Sequence, residues 1–170
     1  MRRKLLVLAA AAMLALTLAI PASASQSREI SGTFVEYGLG DLDTKQVGNS
    51  CHVTATNVVT EYFAASDGGI EADCVGSYTV VERGICSGGP GNQKMVLNLR
   101  SFDCVGTVLG RAGEFNLKGN AVFRPPDIDT FTSWILVSGT GGDLVGLQGH
   151  LMIYNVFGEY TGEVHFDPDK

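Results

Sequence analysis

The stretch SWILVSGTGGDLVGLQG, residues 133–149, decides the fold of this chain. It starts with β-branched and alternating residues and continues into residues 138–142, which accept unusual φ values and are typical of a tight turn. After the turn, Asp143 can cap a short helical turn, and Gly146 and Gly149 let two backbones approach closely. We therefore expect this segment to form a strand, a corner and the start of the next strand.

The same strand-and-turn pattern runs through most of the chain, while helical periodicity is almost absent beyond the N-terminal segment. Glycine-rich turns at residues 67–69 and 88–91 and the proline-containing residues 124–127 separate the alternating runs. The polar, glycine-containing residues 38–50 are predicted to be a connection without a strand. Eight strands are predicted, at residues 30–37, 53–64, 71–82, 94–105, 113–123, 131–138, 150–156 and 159–166.

An all-β fold with a single antiparallel eight-stranded barrel is the architecture that this pattern favours. Closing the sheet leaves no exposed strand edge, which open sheets must protect. Leu144 and Leu147 are then expected to plug one end of the barrel. Side chains alone can fill small eight-stranded barrels, so an open pocket does not follow from the fold. An open β-sandwich is the alternative.

The first 24 residues have the layout of a secretory signal peptide. A basic start (residues 2–4) precedes an apolar run (residues 5–20) and a small-residue site, Ala-Ser-Ala, at residues 22–24. The apolar run is shorter than the roughly 20 residues that span a bilayer. We therefore expect a cleaved signal helix, and a single β-barrel domain at residues 25–170 that is exported and has no membrane span.

The charge balance bears on the choice of partner. The chain has 12 basic and 18 acidic residues, and the three basic residues of the predicted signal peptide would be lost on cleavage. The remaining strong acidity disfavours binding to nucleic acid, whose phosphates require a basic surface. All 22 glycines lie beyond residue 24. The glycine content of the predicted mature chain is therefore about twice the ordinary share, in agreement with many turns. The oligomeric state is left open.

Four cysteines lie beyond the predicted signal peptide: Cys51, Cys74, Cys86 and Cys104. An oxidising compartment favours disulfides, and the spacings lack the short paired knuckle of a zinc site. In an antiparallel hairpin the numbers of facing residues add up to a constant. Turns centred on residues 67–68 and 89–90 place Cys51 near Cys86, and Cys74 near Cys104, within a residue or two that a bulge can absorb. We predict these two disulfides.

Three segments resemble one family. Residues 133–149 are similar to a pattern in uncharacterised bacterial proteins, in which a Ser-Trp strand leads into a Gly-Thr-Gly turn and an Asp-Leu-x-Gly-Leu-x-Gly segment. Residues 106–115 (GTVLGRAGEF) and 158–162 (GEYTG) resemble other segments of that group. On these motifs the chain resembles the DUF3224 family, which relates to allene oxide cyclase and plant dirigent barrels. The resemblance implies an allene oxide cyclase-like barrel and carries across no catalytic residue.

Residues that carry chemistry are sparse. The three histidines (His52, His150 and His165) lie on or beside different predicted strands, and neither a nucleophile elbow nor a phosphate-binding loop is present in the sequence. We therefore expect no metal and no cofactor, and a non-catalytic role is favoured. The lumen or mouth of a barrel is the usual place for a ligand. The polar and aromatic side chains predicted to line it are Glu61, Tyr62, Tyr78, Trp134, Tyr154 and Asn155.

Three functions remain in competition. The leading hypothesis is an exported barrel that binds a small apolar or amphipathic ligand. The resemblance adds an enzyme of cyclase, isomerase or dirigent type, in which a carboxylate beside a tyrosine in an apolar lumen could act as a general acid or base. The third is a structural or interaction module of the cell envelope. A lumen with room for a ligand favours the first two hypotheses, and a lumen filled by Phe and Leu favours the third.

Overall fold

The structure is a computed structural model that describes residues 26–37, 40–65, 68–86, 96–123, 132–153, 158–167 and 170. These residues build an all-β fold of nine strands: β1 (Arg28–Tyr37), β2 (Asp41–Val47), β3 (Ser50–Ala64), β4 (Ile70–Arg83), β5 (Val96–Val108), β6 (Arg111–Phe123), β7 (Thr132–Gly142), β8 (Leu147–Ile153) and β9 (Glu159–Phe166). Within the described ranges, no helix has the length and apolar character to cross a membrane.

The strands form one antiparallel sheet in the order β1-β9-β8-β7-β6-β5-β4-β3-β2. The second half of β3 also pairs with β1, for example Phe34 with Tyr62, and this contact closes the sheet. The eight predicted strands correspond to β1 and β3–β9, so the predicted eight-stranded antiparallel barrel is confirmed. Closure satisfies the backbone groups that a flat sheet would leave at its two edges.

The prediction of a connection without a strand at residues 38–50 is wrong, because β2 lies there and pairs with the first half of β3. Gly48 and Asn49 make a two-residue turn that places Val47 opposite Ser50, and Gly48 supplies the positive φ of 57° that such a turn needs. Every residue of β2 is exposed. The strand therefore has no apolar alternation, and the Gly-Asn dipeptide is the signal that could have found it.

One end of the barrel is solidly packed, and we call it the closed end. It is defined by Ile70, Val108, Leu144 and Leu147, each at most 1% exposed. The predicted plug of Leu144 and Leu147 is therefore confirmed. The core continues along the barrel through other buried side chains, among them Phe102, Phe115, Leu117, Ile135, Val137 and Leu151.

Glycines at inward positions let the strands approach. A Cβ on Gly149 would lie 2.2 Å from the carbonyl oxygen of Glu163, and Gly146 has a φ of 84° in the corner after β7. The close approach expected at Gly146 and Gly149 is therefore present in the fold. A larger side chain at Gly149 would displace β9 from β8, since the close contact is with the backbone of Glu163.

Both predicted disulfides are present, Cys51–Cys86 and Cys74–Cys104. Cys74 lies directly opposite Cys104 in the pairing of β4 with β5, with 4.1 Å between the two Cα atoms, and both side chains are buried. Cys51 joins the start of β3 to Cys86, which lies beyond the end of β4. Two disulfides agree with an oxidising, exported environment. The signal peptide lies outside the described residues and stays a prediction.

Candidate functional site

The end of the barrel opposite the closed end is the mouth, where β1 and β4 end and β5 begins. Polar and aromatic side chains replace the apolar ones on the inward faces of these strands. We call five of them the mouth cluster: Glu36 on β1, Thr60 and Tyr62 on β3, Tyr78 on β4 and Arg100 on β5. Glu36 is paired with Thr60, and Tyr78 with Arg100, in the strand registers.

An ion pair crosses the lumen within the mouth cluster. Arg100 Nη1 donates a hydrogen bond of 2.7 Å to Glu36 Oε1, and the two side chains are 12% and 25% exposed. β1 and β5 are not neighbours in the sheet, so the contact spans the barrel and does not follow its wall. The guanidinium carbon also lies 5.8 Å from the centre of the Tyr78 ring, within the range of a cation–π contact.

Two buried polar atoms in the mouth cluster have no hydrogen-bond partner among the described residues, Arg100 Nε and Thr60 Oγ1. A buried donor or acceptor left unpaired costs about 1–3 kcal/mol. Buried groups of this kind are therefore usually satisfied by a water or a ligand. The cluster offers a guanidinium donor and a hydroxyl to a small polar group at the mouth.

Tyr62 forms the floor of the mouth cluster. Its ring stacks against Phe34 at a centroid distance of 5.5 Å and meets Tyr160 edge-on at 5.6 Å. Burial raises the pKa of the Tyr62 phenol, and the positive charge of Arg100 opposes that rise only in part. Burial also raises the pKa of Tyr78. Both phenols are therefore neutral hydrogen-bonding groups at neutral pH.

Beneath Tyr62, Tyr160 fastens β9 to the start of β4. Its hydroxyl accepts a hydrogen bond of 2.8 Å from the backbone N–H of Ile70 and donates one of 3.3 Å to the carbonyl of the same residue. The side chain is 1% exposed, and burial raises its pKa to about 12. The polar layer thus ends at a tyrosine that belongs to the core.

The structure brings together only part of the predicted site. Tyr62 and Tyr78 belong to the mouth cluster. Glu61 lies on the outer face, where it forms a hydrogen bond with the phenol of Tyr37 and thereby raises the pKa of that exposed phenol. Trp134 also lies on the outer face, 51% exposed and stacked on His150 at 4.9 Å. The remaining two predicted residues, Tyr154 and Asn155, are outside the described residues.

Sequence reasoning missed both members of the ion pair. Arg100 has the same parity on β5 as the buried Phe102, and Glu36 has the same parity on β1 as Phe34, which packs against the core. A charged residue at a core-facing position of an alternating strand costs free energy unless it is paired. That parity is the signal that could have found the pair before the structure.

A groove of about 590 Å³ lies on the outside of the barrel, across β8, β9 and β1. Glu29 and Glu163, which are direct partners in the pairing of β1 with β9, lie in this groove beside His150. The Ser27 hydroxyl donates a hydrogen bond of 3.2 Å to Glu163. The Trp134 ring stacks on His150 beside this groove. The groove is a second concave surface, and the barrel wall separates it from the mouth cluster.

A metal centre finds no support in the described ranges, because no three His, Cys, Asp or Glu side chains there are grouped so as to hold an ion.

Comparison with known proteins gives a likeness at the level of the fold. No family model matches the chain, and no curated protein matches it either. Among solved structures, the chain is similar to a protein of unknown function from the DUF3224 family of Shewanella oneidensis MR-1. The two share 18% identity with a TM-score of 0.59, over 84% of this chain and 99% of that one. The likeness shows a shared barrel fold and bears out the DUF3224 resemblance at that level. The relation to allene oxide cyclase stays a prediction.

Proposed function

We propose that this protein is an exported, non-catalytic barrel that binds a small amphipathic molecule at its mouth. The observation that carries the proposal is the Arg100–Glu36 ion pair, whose buried Nε donor has no partner among the described residues. A partly buried ion pair costs desolvation free energy that a purely structural barrel could avoid with apolar residues. Retaining the ion pair at the mouth, with an Nε donor that has no partner among the described residues, supports a role in recognition.

The chemistry of the mouth cluster defines the polar part of the ligand. Arg100 provides donors only, so the ligand group that it contacts must accept hydrogen bonds, as a carboxylate, carbonyl or hydroxyl does. Because Glu36 already balances the charge of Arg100, a neutral acceptor fits as well as an anion. Thr60 Oγ1 can donate to the same group or accept from it.

The surroundings of the mouth cluster define the apolar part. Phe34 and Tyr78 are partly buried and pack against the core, so both present aromatic surface at the mouth. Below them Tyr62 and Phe102 are 4% exposed and close the way to the interior. The apolar part of the ligand therefore lies at the mouth and not deep in the lumen.

The two other functions differ in what they require. An enzyme of cyclase, isomerase or dirigent type would act mainly by holding a reactive intermediate in one conformation, with a carboxylate beside a tyrosine as a possible general acid or base. A structural or interaction module of the cell envelope is supported by the filled interior. Binding at the mouth cluster separates the proposal from this last alternative.

Calorimetry and thermal shift with three probes test the proposal: dodecanoate, dodecanol and dodecane. The exported, oxidised protein is expected to bind dodecanoate and dodecanol and to bind dodecane far more weakly. Arg100→Met combined with Glu36→Gln removes the donors without leaving a buried charge, and we expect dodecanoate affinity to fall by about tenfold or more.

The matched control is Arg111→Met, which removes a guanidinium at the closed end, where Arg111 lies 3.9 Å over the Phe166 ring. Its dodecanoate affinity should equal that of the wild type. Failure of all three probes and of a wider panel of fatty acids and terpenoids to bind would overturn the proposal. Equal binding by the Arg100→Met, Glu36→Gln double variant would place the ligand elsewhere.

A further inference from the structure

β2 ends the sheet with one edge that no strand covers within the described ranges. All seven of its residues are exposed, including the apolar Leu42 at 57% and Val47 at 47%. An open edge presents unpaired N–H and C=O groups and is a template for a further strand. Closure covers most of the other strand edges in the described sheet, and the seven-residue β2 edge is a place where another chain could add.

The hairpin geometry shows which backbone groups point outward. Val47 and Ser50 close the two-residue turn, so their N–H and C=O groups face each other. Hydrogen-bonded pairs alternate from there, and Lys45 and Asp43 also direct their backbone groups toward β3. The intervening Leu42, Thr44 and Gln46 therefore direct theirs toward the open edge.

A second copy of β2 matches this edge in one particular register. When two β2 strands run antiparallel about a two-fold axis at Thr44, Leu42 of each strand lies opposite Gln46 of the other, and all of the outward-pointing backbone groups meet. Asp43 of each strand then lies opposite Lys45 of the other, which gives two opposite-charge pairs across the seam. A shift by two residues either way places Asp43 against Asp43 or Lys45 against Lys45.

The β2 edge is also held in place before any partner arrives. The side-chain amide of Gln46 donates to the carbonyls of Gly48, Ser50 and Gly84 at 2.8–3.2 Å, and its oxygen accepts a 2.9 Å hydrogen bond from the N–H of Cys86. Since Cys86 is bonded to Cys51, the hairpin is anchored to a cross-linked loop. A fixed edge loses less conformational entropy on pairing than a loose one.

We propose that two copies of this chain associate through their β2 edges, as a two-fold dimer centred on Thr44 with a continuous sheet across the seam. The occupant is a second copy because β2 is complementary to itself in hydrogen-bonding parity and in charge at once. One seven-residue edge is a small interface, so the dimer is reversible, dependent on concentration and weakened by salt.

Sedimentation of the exported, oxidised protein tests the proposal over concentrations from about 1 to about 500 µM, a range that brackets weak dimers. The wild type is expected to pass from monomer to dimer. Thr44→Pro removes the N–H at the centre of the seam, and since that N–H points away from β3, proline is tolerated there. This variant should remain a monomer with an unchanged melting temperature.

Charge reversal tests the register. Lys45→Glu places acids opposite acids and should weaken the dimer by about tenfold or more, whereas Asp43→Lys combined with Lys45→Asp restores both pairs and should recover the wild-type constant. Lys118→Glu, an equal charge change at an exposed position of β6, is the control and should have no such effect. A wild type that stays monomeric, or a dimer that Thr44→Pro and Lys45→Glu leave intact, overturns the proposal.

Discussion

The closed end and the mouth of the barrel are built by the same strands in opposite ways. Leu144 and Leu147 at the closed end are at most 1% exposed, whereas Arg100 and Glu36 at the mouth retain 12% and 25% side-chain exposure. Burying an apolar side chain of this size contributes about 1.5–3 kcal/mol, while burying an ion pair contributes little or nothing. The difference separates the end that stabilises the fold from the end that is free to recognise a ligand.

The largest expected effect is a core truncation away from the mouth. Phe115 is fully buried, and Phe115→Ala should lower the free energy of unfolding by about 3–5 kcal/mol through lost burial and the cavity left behind. Phe34→Ala at the mouth removes the same atoms from a partly buried site and should cost clearly less. Urea denaturation measures both variants, and equal losses would contradict the distinction between the two ends.

The two disulfides also differ in how far they are packed in the core. They span 30 and 35 residues, so loop closure predicts nearly equal stabilisation, about 3–4 kcal/mol each. Cys74→Ala with Cys104→Ala should cost more than Cys51→Ala with Cys86→Ala, because the first pair is also packed in the core. Thermal denaturation of the two double variants provides the comparison. Mild reductant should open Cys51–Cys86 first, and prior opening of Cys74–Cys104 would argue against the packing described.

The ion pair at the mouth should behave as a coupled unit. Arg100→Met leaves Glu36 unpaired in a largely buried site, and we expect a loss of about 1–3 kcal/mol in unfolding free energy. Adding Glu36→Gln should recover most of the lost unfolding free energy, since the unpaired carboxylate is then removed. A double-mutant cycle by urea denaturation measures the coupling, and strictly additive losses would show that the two groups do not interact.

The strands, the barrel and the disulfides could be predicted because each depends on local pattern or hairpin register. Alternation and turn residues located eight strands, and hairpin register paired the cysteines. β2 was not predicted because its residues are all exposed, so its sequence has no apolar periodicity. The Gly-Asn turn between Val47 and Ser50 was the remaining signal.

The candidate site was harder to predict because it depends on which face of β3 points inward. The pairing of β3 with β4 shifts between Ala55 and Val58, where Asn57 has a positive φ of 58°. One extra residue reverses the inward parity, so Tyr62 is buried and Glu61 faces outward. The Arg100–Glu36 contact also needs the closure of β1 onto β3, which no local pattern reveals.

The smallest of these effects concerns Tyr160, which contacts Tyr62 of the mouth cluster and bonds to Ile70 of the closed end. Tyr160→Phe leaves the buried N–H of Ile70 without its partner and should cost about 1–2 kcal/mol. Burial raises the folded-state pKa of Tyr160 from 10.0 to about 12. The folded protein therefore holds the proton more tightly, and this contribution to stability is present below pH 10 and is lost as the pH rises to about 12.

Urea denaturation at pH values from 9 to about 12 checks that dependence. The wild type should lose stability over the window, and Tyr160→Phe should lose less of it. Phe63→Leu, which changes an exposed aromatic ring that has no titratable group, is the control and should follow the wild type. A Tyr160→Phe profile parallel to that of the wild type would show that this phenol does not titrate with unfolding.

The most direct test of the account is a titration of the ¹⁵N-labelled protein with dodecanoate, followed by amide and indole chemical shifts. We predict saturable shifts at Glu36, Tyr78 and Arg100, with the amide of Leu144 at the closed end and the indole of Trp134 on the outer face unmoved. Shifts centred on the closed end or on Trp134, or no saturable shift at the mouth, would contradict the claim that the mouth is the recognition end of the barrel.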